Sequence, residues 1–546
     1  MKKKLIPIYL FISFLFISCS NEESKDFVVI GIPNDIETIN PIYSFSVEEG
    51  NITELMFLSL LESGWDSSIG KIEYKAMLAK SWKWGSGKES LIIEIRNDII
   101  WSDSTKCTID DVIFSFDIYS DPIVKSRAFG FFDKFYTEEN GKINISKTFE
   151  KLEDNKLKIN FKKDSNPDLL EIDHPILPKH YFENYKREEI ATLNITETLV
   201  TNGPYKFERW EKEQLIVLAK NEDSFLLNKN SIPKIVFKVI PEYQMRLNQL
   251  THGEIDMMED IKTDDMHGLK ENKNLSVVPI SGRDFDYIGW NNISPEHYQN
   301  SVIKPHKLFG SAKVREALTY ALNRSVVTEE YLNGYGQLAS TPLSPIFTKI
   351  YDSTILPLRY SSNKAKEILL AEGWSDTNGD GTIDKDGVEF EFTLHIPSGN
   401  PRREFAASLF QNNLKAIGID LIIESNELGI FIDNLFSKQF DAWMAAWVVP
   451  IPVNLNISWY SDLSNTPLNF ASYQNKELDK LLNRLSSAEK EDEVILYNEI
   501  QKILYEDQPY TFLYWIDNIA CYNNRIKNVE IDPLGAFKHS WNWAIQ

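Results

Sequence analysis

The sequence predicts an α/β protein, and three regions carry that prediction. Residues 391–447 alternate strand and helix patterns in the order β-α-β-α-β, which is typical of a parallel sheet with helices on its faces. Strand patterns dominate the region before this unit, and two amphipathic helices precede a last strand at 510–517. A chain of 546 residues is too long for one hydrophobic core, so we expect several lobes.

The individual elements can be placed by their periodicity. FVVIGIP (27–33) predicts an early strand, and the helix that follows it carries one apolar face, formed by Ile52, Leu55, Met56 and Leu60. Four alternating stretches predict strands in the middle region, namely SLIIEIR, KLKINFK, QLIVLAK and KIVFKVI. The β-α-β-α-β unit consists of EFTLHIP, the helix at 402–418, IDLIIES, the helix at 429–438 and FDAWMAAW. Such sheets bind ligands at the carboxyl ends of their strands, often between lobes.

The N-terminus has the pattern of a secretory signal. Lys2, Lys3 and Lys4 precede an apolar run that ends at Ser18-Cys19. This run is shorter than the roughly 20 residues that span a bilayer, so residues 1–18 are predicted to be a signal peptide. The ending FISC resembles a bacterial lipobox, whose cysteine is acylated. We therefore expect an extracytoplasmic protein anchored by lipidated Cys19, with 19–26 as a tether. An ordinary cleaved signal that happens to end at a cysteine is the alternative.

The charge balance restricts the partners. The formal net charge is −22 at pH 7, and a field of this sign repels nucleic acid, so no nucleic-acid partner is predicted. Besides Cys19 the chain has Cys107 and Cys521. Two buried free thiols are the favoured interpretation, and a disulfide between them stays open.

Catalytic motifs are missing from the sequence. The histidines form no H-E-x-x-H, and no G-x-S-x-G or G-x-G-x-x-G occurs. No catalytic residue is predicted, and no cofactor is required. A secreted hydrolase with paired carboxylates remains as an alternative, because an acidic chain always offers such pairs.

One short loop has the pattern of a calcium site. Its oxygen-bearing side chains fall at alternating positions, as in an EF-hand loop, and they belong to Asp376, Asn378, Asp380 and Asp384. Gly381 suits the sharp turn, but Gly387 stands where the bidentate glutamate belongs. A structural calcium is thus one hypothesis, and a plain Asn/Asp/Gly-rich turn is the other.

Ten stretches in order resemble the family 5 extracellular solute-binding proteins, the oligopeptide and dipeptide receptors of ABC importers. They are LAKSWKW (78–84), the strand and helix at 93–116, HPILPKHYFE (174–183), NGPYKFERW (202–210), LNQLTHGEIDMM (247–258), the block at 314–345, AKEILLAEGW (365–374), NLKAIGIDLII (413–423), FDAWMAAW (440–447) and YQNKELDKLL (473–482). Each stretch alone is a weak signal, and their order makes the resemblance specific.

The resemblance implies an enlarged type II periplasmic-binding-protein fold, in which two binding lobes are joined by a hinge and an extra lobe is specific to the family. By analogy, lobe I comprises 27–62, 201–288 and 514–546, lobe II comprises 63–200, and lobe III comprises 289–513. The hinge is expected near GWNN (289–292) and YWID (514–517). Ligand contacts to both lobes would favour the closed form.

The resemblance also suggests where a ligand binds. The family holds the amino group of a peptide with an aspartate shortly after a tryptophan. Here Trp447 matches that tryptophan, but Pro450 stands at the aspartate's position, and proline supplies neither charge nor donor. The candidate ligand-binding residues are Asn34, Asp35, Trp290, Trp447, Val448, Val449, Trp459, Asn469 and Phe470. Core packing explains the aromatic residues among them equally well.

The predicted function is that of a lipid-anchored receptor. It would capture a peptide or another small organic solute by hinge closure and deliver it to the permease subunits of an ABC importer, acting as a monomer. A receptor for a non-peptide solute, such as a sugar or a metal chelate, and a signalling receptor are the alternatives.

Overall fold

The computed structural model describes residues 26–193, 195, 199–300, 302–486 and 490–546. The predicted signal peptide and Cys19 lie outside these residues. Strands and helices alternate around one large mixed sheet, which confirms the predicted α/β class. Across the described ranges, no helix has both the length and the apolar character needed to cross a membrane.

The central sheet contains eleven strands. Ten follow one path in space, and they are β17 (Asp420–Asn426), β16 (Glu391–Pro397), β18 (Ala442–Val448), β12 (Leu275–Trp290), β19 (Tyr510–Asn523), β11 (Met257–Met258), β1 (Val28–Ile32), β10 (Lys234–Val239), β9 (Leu215–Lys220) and β8 (Tyr205–Glu211). The eleventh, β13 (Gly336–Leu338), pairs with β19. We call β17, β16 and β18 the β16 half of the sheet, and β11, β1, β10, β9 and β8 the β1 half.

The remaining strands form smaller sheets. A four-stranded antiparallel sheet has the order β4 (Ala79–Trp84), β5 (Ser90–Ile95), β7 (Lys156–Asn160) and β6 (Phe149–Glu153). Three two-stranded sheets are formed by β2 (Leu61–Asp66) with β3 (Lys71–Ala76), β14 (Asp384–Lys385) with β15 (Val388–Glu389), and β20 (Ile526–Lys527) with β21 (Ala544–Ile545).

The α-helices surround these sheets. They are α1 (Val47–Met56), α2 (Ile109–Tyr119), α3 (Ile145–Thr148), α4 (Lys179–Phe182), α5 (Tyr243–Thr251), α6 (Met266–Glu271), α7 (Pro295–Gln299), α8 (Ala312–Ala321), α9 (Arg324–Val326), α10 (Ser362–Ala371), α11 (Pro401–Lys415), α12 (Leu428–Phe436), α13 (Asn456–Trp459), α14 (Lys476–Leu485) and α15 (Lys490–Asp507).

The β-α-β-α-β prediction for 391–447 is confirmed by β16, α11, β17, α12 and β18. Strand β16 pairs in parallel with both β17 and β18. Helix α11 begins where Asn400 caps it, because the Asn400 side chain accepts a hydrogen bond from the Arg403 amide at 3.1 Å. Pro401 at the first helical position fits the same start signal.

Two long antiparallel strands, β12 and β19, connect the halves of the sheet. Their register shifts between Ile280 and Asp284, so the ladder is interrupted where the chain passes from the β1 half to the β16 half. Gly282 lies in this interruption, and a Cβ there would stand 1.8 Å from the Ile516 carbonyl oxygen. The close approach of the two backbones therefore requires glycine.

The β16 half carries a separate core on each of its two faces. Met444 packs with Phe392 and Phe410 in one core, which we call the α11 core. Its neighbour Trp443 packs with Leu478 in the other, the α14 core. This alternation along β18 follows from the period of two in a strand. A third core, the β1 core, extends from the β1 half to the four-stranded sheet. The exact lobe boundaries stay predictions.

Both cysteines of the described chain are free and buried. Burial raises the pKa of the Cys521 thiol to about 12 and also raises that of Cys107. Of the two interpretations left open by the sequence, the structure therefore has the free thiols.

Candidate functional site

A crevice of about 350 Å³ opens between the two halves of the central sheet. Its walls are formed by Gly31, Ile32, Pro33, Val47, Glu48, Asn51, Glu259, Asp260, Ile280, Arg283, Asp284, Val448, Asn518, Ile519, Ala520, Asp532, Pro533, Leu534, Gly535 and Phe537. Strands β1 and β11 run parallel, so their carboxyl ends meet at this edge of the sheet. The crevice thus occupies the place where open α/β sheets bind ligands.

The start of α1 forms one side of the crevice and is firmly held. Ser46 caps the helix in a capping box with Glu49. Although burial favours the neutral acid, backbone amides of Ser46, Phe45 and nearby residues donate to the Glu49 carboxylate and lower its pKa. Val47 is 70% exposed and lines the crevice, so its apolar side chain is free to contact a ligand.

The crevice is acidic. Five carboxyl groups line it, and Arg283 is the one cationic side chain among its lining residues in the described chain. Burial raises the pKa of Glu259 to about 7, with Asp260 and Glu48 adding to the effect. Burial likewise raises the pKa of Asp260, Asp284 and Asp532. Carboxylates in such surroundings are stabilised by a cation placed among them.

Arg283 does not neutralise this set completely. Its guanidinium donates to the Val449 carbonyl oxygen at 2.8 Å, and the Val449 amide donates back to the Arg283 carbonyl at 3.0 Å. These two bonds extend the pairing of β12 with β18 past the end of the regular ladder. Arg283 therefore has a structural contact, and an excess of carboxylates remains around the crevice.

The predicted residue Val448 lies in the crevice wall and is 50% exposed. Its neighbours Trp447 and Val449, with Trp459 and Pro450, line a separate small apolar pocket beside Phe285 and Tyr510. That pocket has about 10 Å³ of free space, which is room for roughly one water molecule. In this conformation it cannot hold a ligand side chain.

Phe470 and Asn469, which were also predicted to bind the ligand, pack behind the residues of the crevice. Phe470 packs edge-on against Phe436 with ring centroids 5.3 Å apart, and its ring also meets that of Trp447 at 6.4 Å. The Asn469 side chain is buried and donates to the carbonyl oxygens of Tyr460 and Tyr473. Both residues fix the loop after α13 and do not line the crevice.

The other predicted residues lie elsewhere. Trp290 is fully buried in the α11 core and donates to Thr511 Oγ1 at 3.1 Å. The Asp35 carboxylate accepts hydrogen bonds from Trp210 Nε1 and from the Glu213 amide, so it ties two loops together. Asn34 is exposed outside the crevice lining. The core packing anticipated as the alternative describes Trp290.

Sequence reasoning missed the carboxylates of the crevice. Glu259 and Asp260 directly follow β11, and Asp284 lies inside β12. The carboxyl ends of parallel strands share an edge, but the two-residue strand β11 was not predicted, so the first two carried no usable signal. Asp532 follows no predicted strand and carried no such signal.

The predicted calcium loop is held by its own hydrogen bonds. The Asp376 carboxylate accepts from the amides of Gly379 and Gly381, and the Asp384 carboxylate accepts from the amide and hydroxyl of Thr377. No group of three His, Cys, Asp or Glu side chains suited to a metal ion occurs among the described residues. The plain-turn hypothesis accounts for these contacts, and the structural calcium stays a prediction.

Comparison with known sequences identifies the family. The family described as "Bacterial extracellular solute-binding proteins, family 5 Middle" matches residues 73–467, which is most of the chain. The chain belongs to this family. As a family 5 solute-binding protein it is one of a group of receptors for solutes outside the cell, in agreement with the resemblance seen in the sequence.

Individual relatives extend the similarity over nearly the whole chain. The family 5 protein is 29% identical over 513 residues to the oligopeptide-binding protein AppA of Bacillus subtilis, which covers 93% of this chain and 89% of AppA. The AppA structure with a nonapeptide superposes with a TM-score of 0.70, over 95% of this chain and 99% of that one. NikZ of Campylobacter jejuni, in complex with Ni(L-His), is 26% identical with a TM-score of 0.71, over 95% and 99% of the two chains. The predicted type II periplasmic-binding-protein fold is confirmed by these superpositions.

Proposed function

We propose that this family 5 protein captures a peptide or peptide-like solute that carries a free amino group, and that the crevice between the halves of the sheet is where it binds. The observation that carries the proposal is the excess of carboxyl groups that line the crevice, with raised pKa values at Glu259, Asp260 and Asp284. An ammonium group entering the crevice would be paired there with carboxylates rather than with water.

The amino group would be bound differently from the family pattern. Pro450 has no carboxylate, whereas Asp284 lies on the neighbouring strand opposite Val448. Asp284 lines the crevice beside Val448, two residues before the position that Pro450 leaves without charge. A receptor that lost the family aspartate can retain amine recognition if a carboxylate from the adjacent strand takes over the charge.

Ligand capture would proceed by closure of the two halves. Val47 belongs to the β1 side and Val448 to the β16 half, and both line the crevice with large exposed fractions. A ligand that contacts both walls stabilises the closed form because it gains contacts that the open form cannot provide. The role is binding without turnover.

The relatives support a peptide as the ligand class. The B. subtilis relative is an oligopeptide-binding protein whose structure holds a nonapeptide. The NikZ structure holds Ni(L-His), which keeps a metal chelate as the second candidate. A metal chelate with an amino acid also carries polar and charged groups that an acidic crevice can contact.

Anchoring and partners complete the proposal. Lipidated Cys19 would hold the receptor at the outer face of the membrane and raise its concentration near the permease subunits of an ABC importer. The receptor would act there as a monomer. Replacing Cys19 with Ser should release the protein into the soluble fraction, and a lipid-free protein that stays in the membrane fraction would contradict the anchor.

The deciding experiment is mass spectrometry of what co-purifies with residues 20–546 after gentle purification and denaturing release. A mixture of short peptides supports the proposal. A single metal chelate, sugar or other non-peptide compound overturns the peptide assignment and leaves the receptor function, while catalytic conversion of an added peptide overturns the receptor function itself.

A further inference from the structure

A β-hairpin outside the central sheet joins the two halves a third time. The β2–β3 hairpin has its base on the C-terminal segment, where the His539 imidazole lies 3.2 Å from the Ser63 carbonyl oxygen and 3.3 Å from the Glu62 carboxylate. Tyr74 of the hairpin packs against the β1 core. The base of the hairpin therefore packs with the β1 core.

The tip of the hairpin lies against the segment that contains Thr348 and Lys349. The Lys349 amide donates to the Ile69 carbonyl oxygen at 3.3 Å, and Thr348 Oγ1 donates to the Ser67 carbonyl oxygen at 3.2 Å. Gly70 has φ +63°, and a Cβ on it would stand 2.3 Å from the Thr348 amide nitrogen. Only a glycine allows this approach, so the turn and its partner segment are matched in shape.

Side chains extend this contact along the hairpin. The Trp65 ring meets Phe347 edge-on at 5.9 Å and packs against the α14 core. Lys71 Nζ lies 2.6 Å from the Glu493 carboxylate on α15. Both side chains of this ion pair are about one-third exposed or less. One hairpin thus contributes Tyr74 to the β1 core and Trp65 to the α14 core.

The docking segment is itself attached to the interruption in β12. Ser344 Oγ donates to the Gly282 carbonyl oxygen at 2.7 Å, and Gly282 lies where the register of β12 and β19 shifts. The segment that binds the hairpin tip at Thr348 and Lys349 is therefore attached, through Ser344, to the point where the ladder of β12 and β19 is interrupted.

We propose that the β2–β3 hairpin is a non-covalent pivot that confines the relative motion of the two halves to one bending direction. Two adjacent strands alone permit both bending and twisting. A third contact displaced from them opposes twisting, while its position beside the bend lets closure proceed. Lys71 and Glu493 act here as positioning residues, outside the ligand crevice.

The test measures the distribution of distances between spin labels on the two sides. Labels are placed at Glu183→Cys and Lys366→Cys, both exposed in the structure, in the purified ligand-free chain without other accessible thiols. Lys71→Glu replaces the ion pair with Glu493 by two carboxylates that repel each other. We expect a broader distance distribution than in the parent protein, and Lys71→Glu combined with Glu493→Lys should restore the parent width.

Two controls separate the pivot from a general loss of structure. Lys229→Glu makes the same charge change at an exposed position outside the hairpin and α15, and should leave the width unchanged. Thr348→Val removes the donor to Ser67 and should broaden the distribution without a charge change. An unchanged width in both Lys71→Glu and Thr348→Val, or a failure of the charge exchange to restore it, overturns the proposal. The measurement uses no ligand, so its outcome is independent of the proposed function.

Discussion

Asp284 on β12 lies directly opposite Val448 on β18 in an antiparallel pair. Val448 is two residues before Pro450, where the family pattern has an aspartate. Opposite residues in a ladder bring their Cβ atoms to roughly 5 Å, so a carboxylate on one strand can serve a position on the next. Under the proposed function, β12 supplies the charge that binds the amino group.

Replacing Asp284 with Asn tests this role. We expect the affinity for a short peptide with a free amino group to fall by about 10-fold to 100-fold, because a charge-assisted hydrogen bond contributes about 1.5–3 kcal/mol. Isothermal titration calorimetry with a free peptide and its N-acetylated form measures the effect. Asp154→Asn, at an exposed position of the β6–β7 turn, is the matched control. Equal losses for the free and acetylated peptides would contradict the role.

The raised pKa of Glu259 should make the stability of the protein depend on pH. Burial raises its pKa to about 7 from an ordinary value of 4.5, so the folded protein binds this proton more tightly than the unfolded chain. The resulting stability is complete below about pH 4.5 and is lost as the pH rises through about 7. Glu259→Gln should therefore raise Tm at pH 8 and change it little at pH 4.5.

Thermal unfolding at the two pH values checks this prediction. Glutamine keeps the side-chain oxygen that accepts from the Ala536 amide at 2.9 Å, so the local hydrogen bond survives. Glu183→Gln at an exposed site is the control. A lower Tm for Glu259→Gln at pH 8 would show that the charge is compensated within the protein.

Replacing Asp286 with Asn is expected to lower the free energy of unfolding strongly. Its carboxylate is fully buried and accepts from Arg402 Nε at 2.8 Å and Arg403 Nε at 3.2 Å. Asp286→Asn leaves two guanidinium groups without their counter-charge, and removing one partner of a buried pair costs about 3–5 kcal/mol. Denaturant unfolding measures the loss.

The exposed pair of Lys415 with Asp420 supplies the comparison for Asp286. Their nitrogen and oxygen lie 2.7 Å apart with the lysine side chain 71% exposed. Asp420→Asn should cost less than about 1 kcal/mol, since surface ion pairs contribute little. Equal costs at both positions would mean that burial does not govern the Asp286 site.

A substitution at Gly282 is expected to lower the stability of the protein. A methyl group there would collide with the Ile516 carbonyl oxygen, so Gly282→Ala must move β12 or β19 and should lower Tm. A methyl group on Gly268 in α6 would meet no atom within 4 Å, and Gly268→Ala should raise helix stability by up to about 1 kcal/mol. Differential scanning calorimetry distinguishes the two, and a neutral Gly282→Ala would show that the strands can separate there without cost.

Local patterns in the sequence account for much of the fold. Residues 391–447 form the parallel unit that their alternation predicts, because hydrophobic periodicity and the capping residues Asn400 and Pro401 act over a few residues. The family followed from short stretches in a constant order. These features depend on neighbours in sequence, and sequence displays them directly.

The crevice depended on contacts between distant segments. Glu259, Asp284 and Asp532 meet around one space although long stretches of chain separate them. Trp290 and Asp35 matched the expected chemistry of a binding site, yet one packs in a core and the other joins two loops. Residue type and spacing cannot distinguish these outcomes, since burial is set by the packing of whole elements.

The sequence by itself determined the α/β class, the order of strands and helices within residues 391–447 and the family, because local periodicity and short motifs encode them. Only the tertiary structure decided which carboxylates surround the crevice and where the ladder of β12 and β19 is interrupted. The physical reason is that the charge excess and the interrupted ladder arise where β1, β11, β12 and β19 come together, and no single segment contains that arrangement.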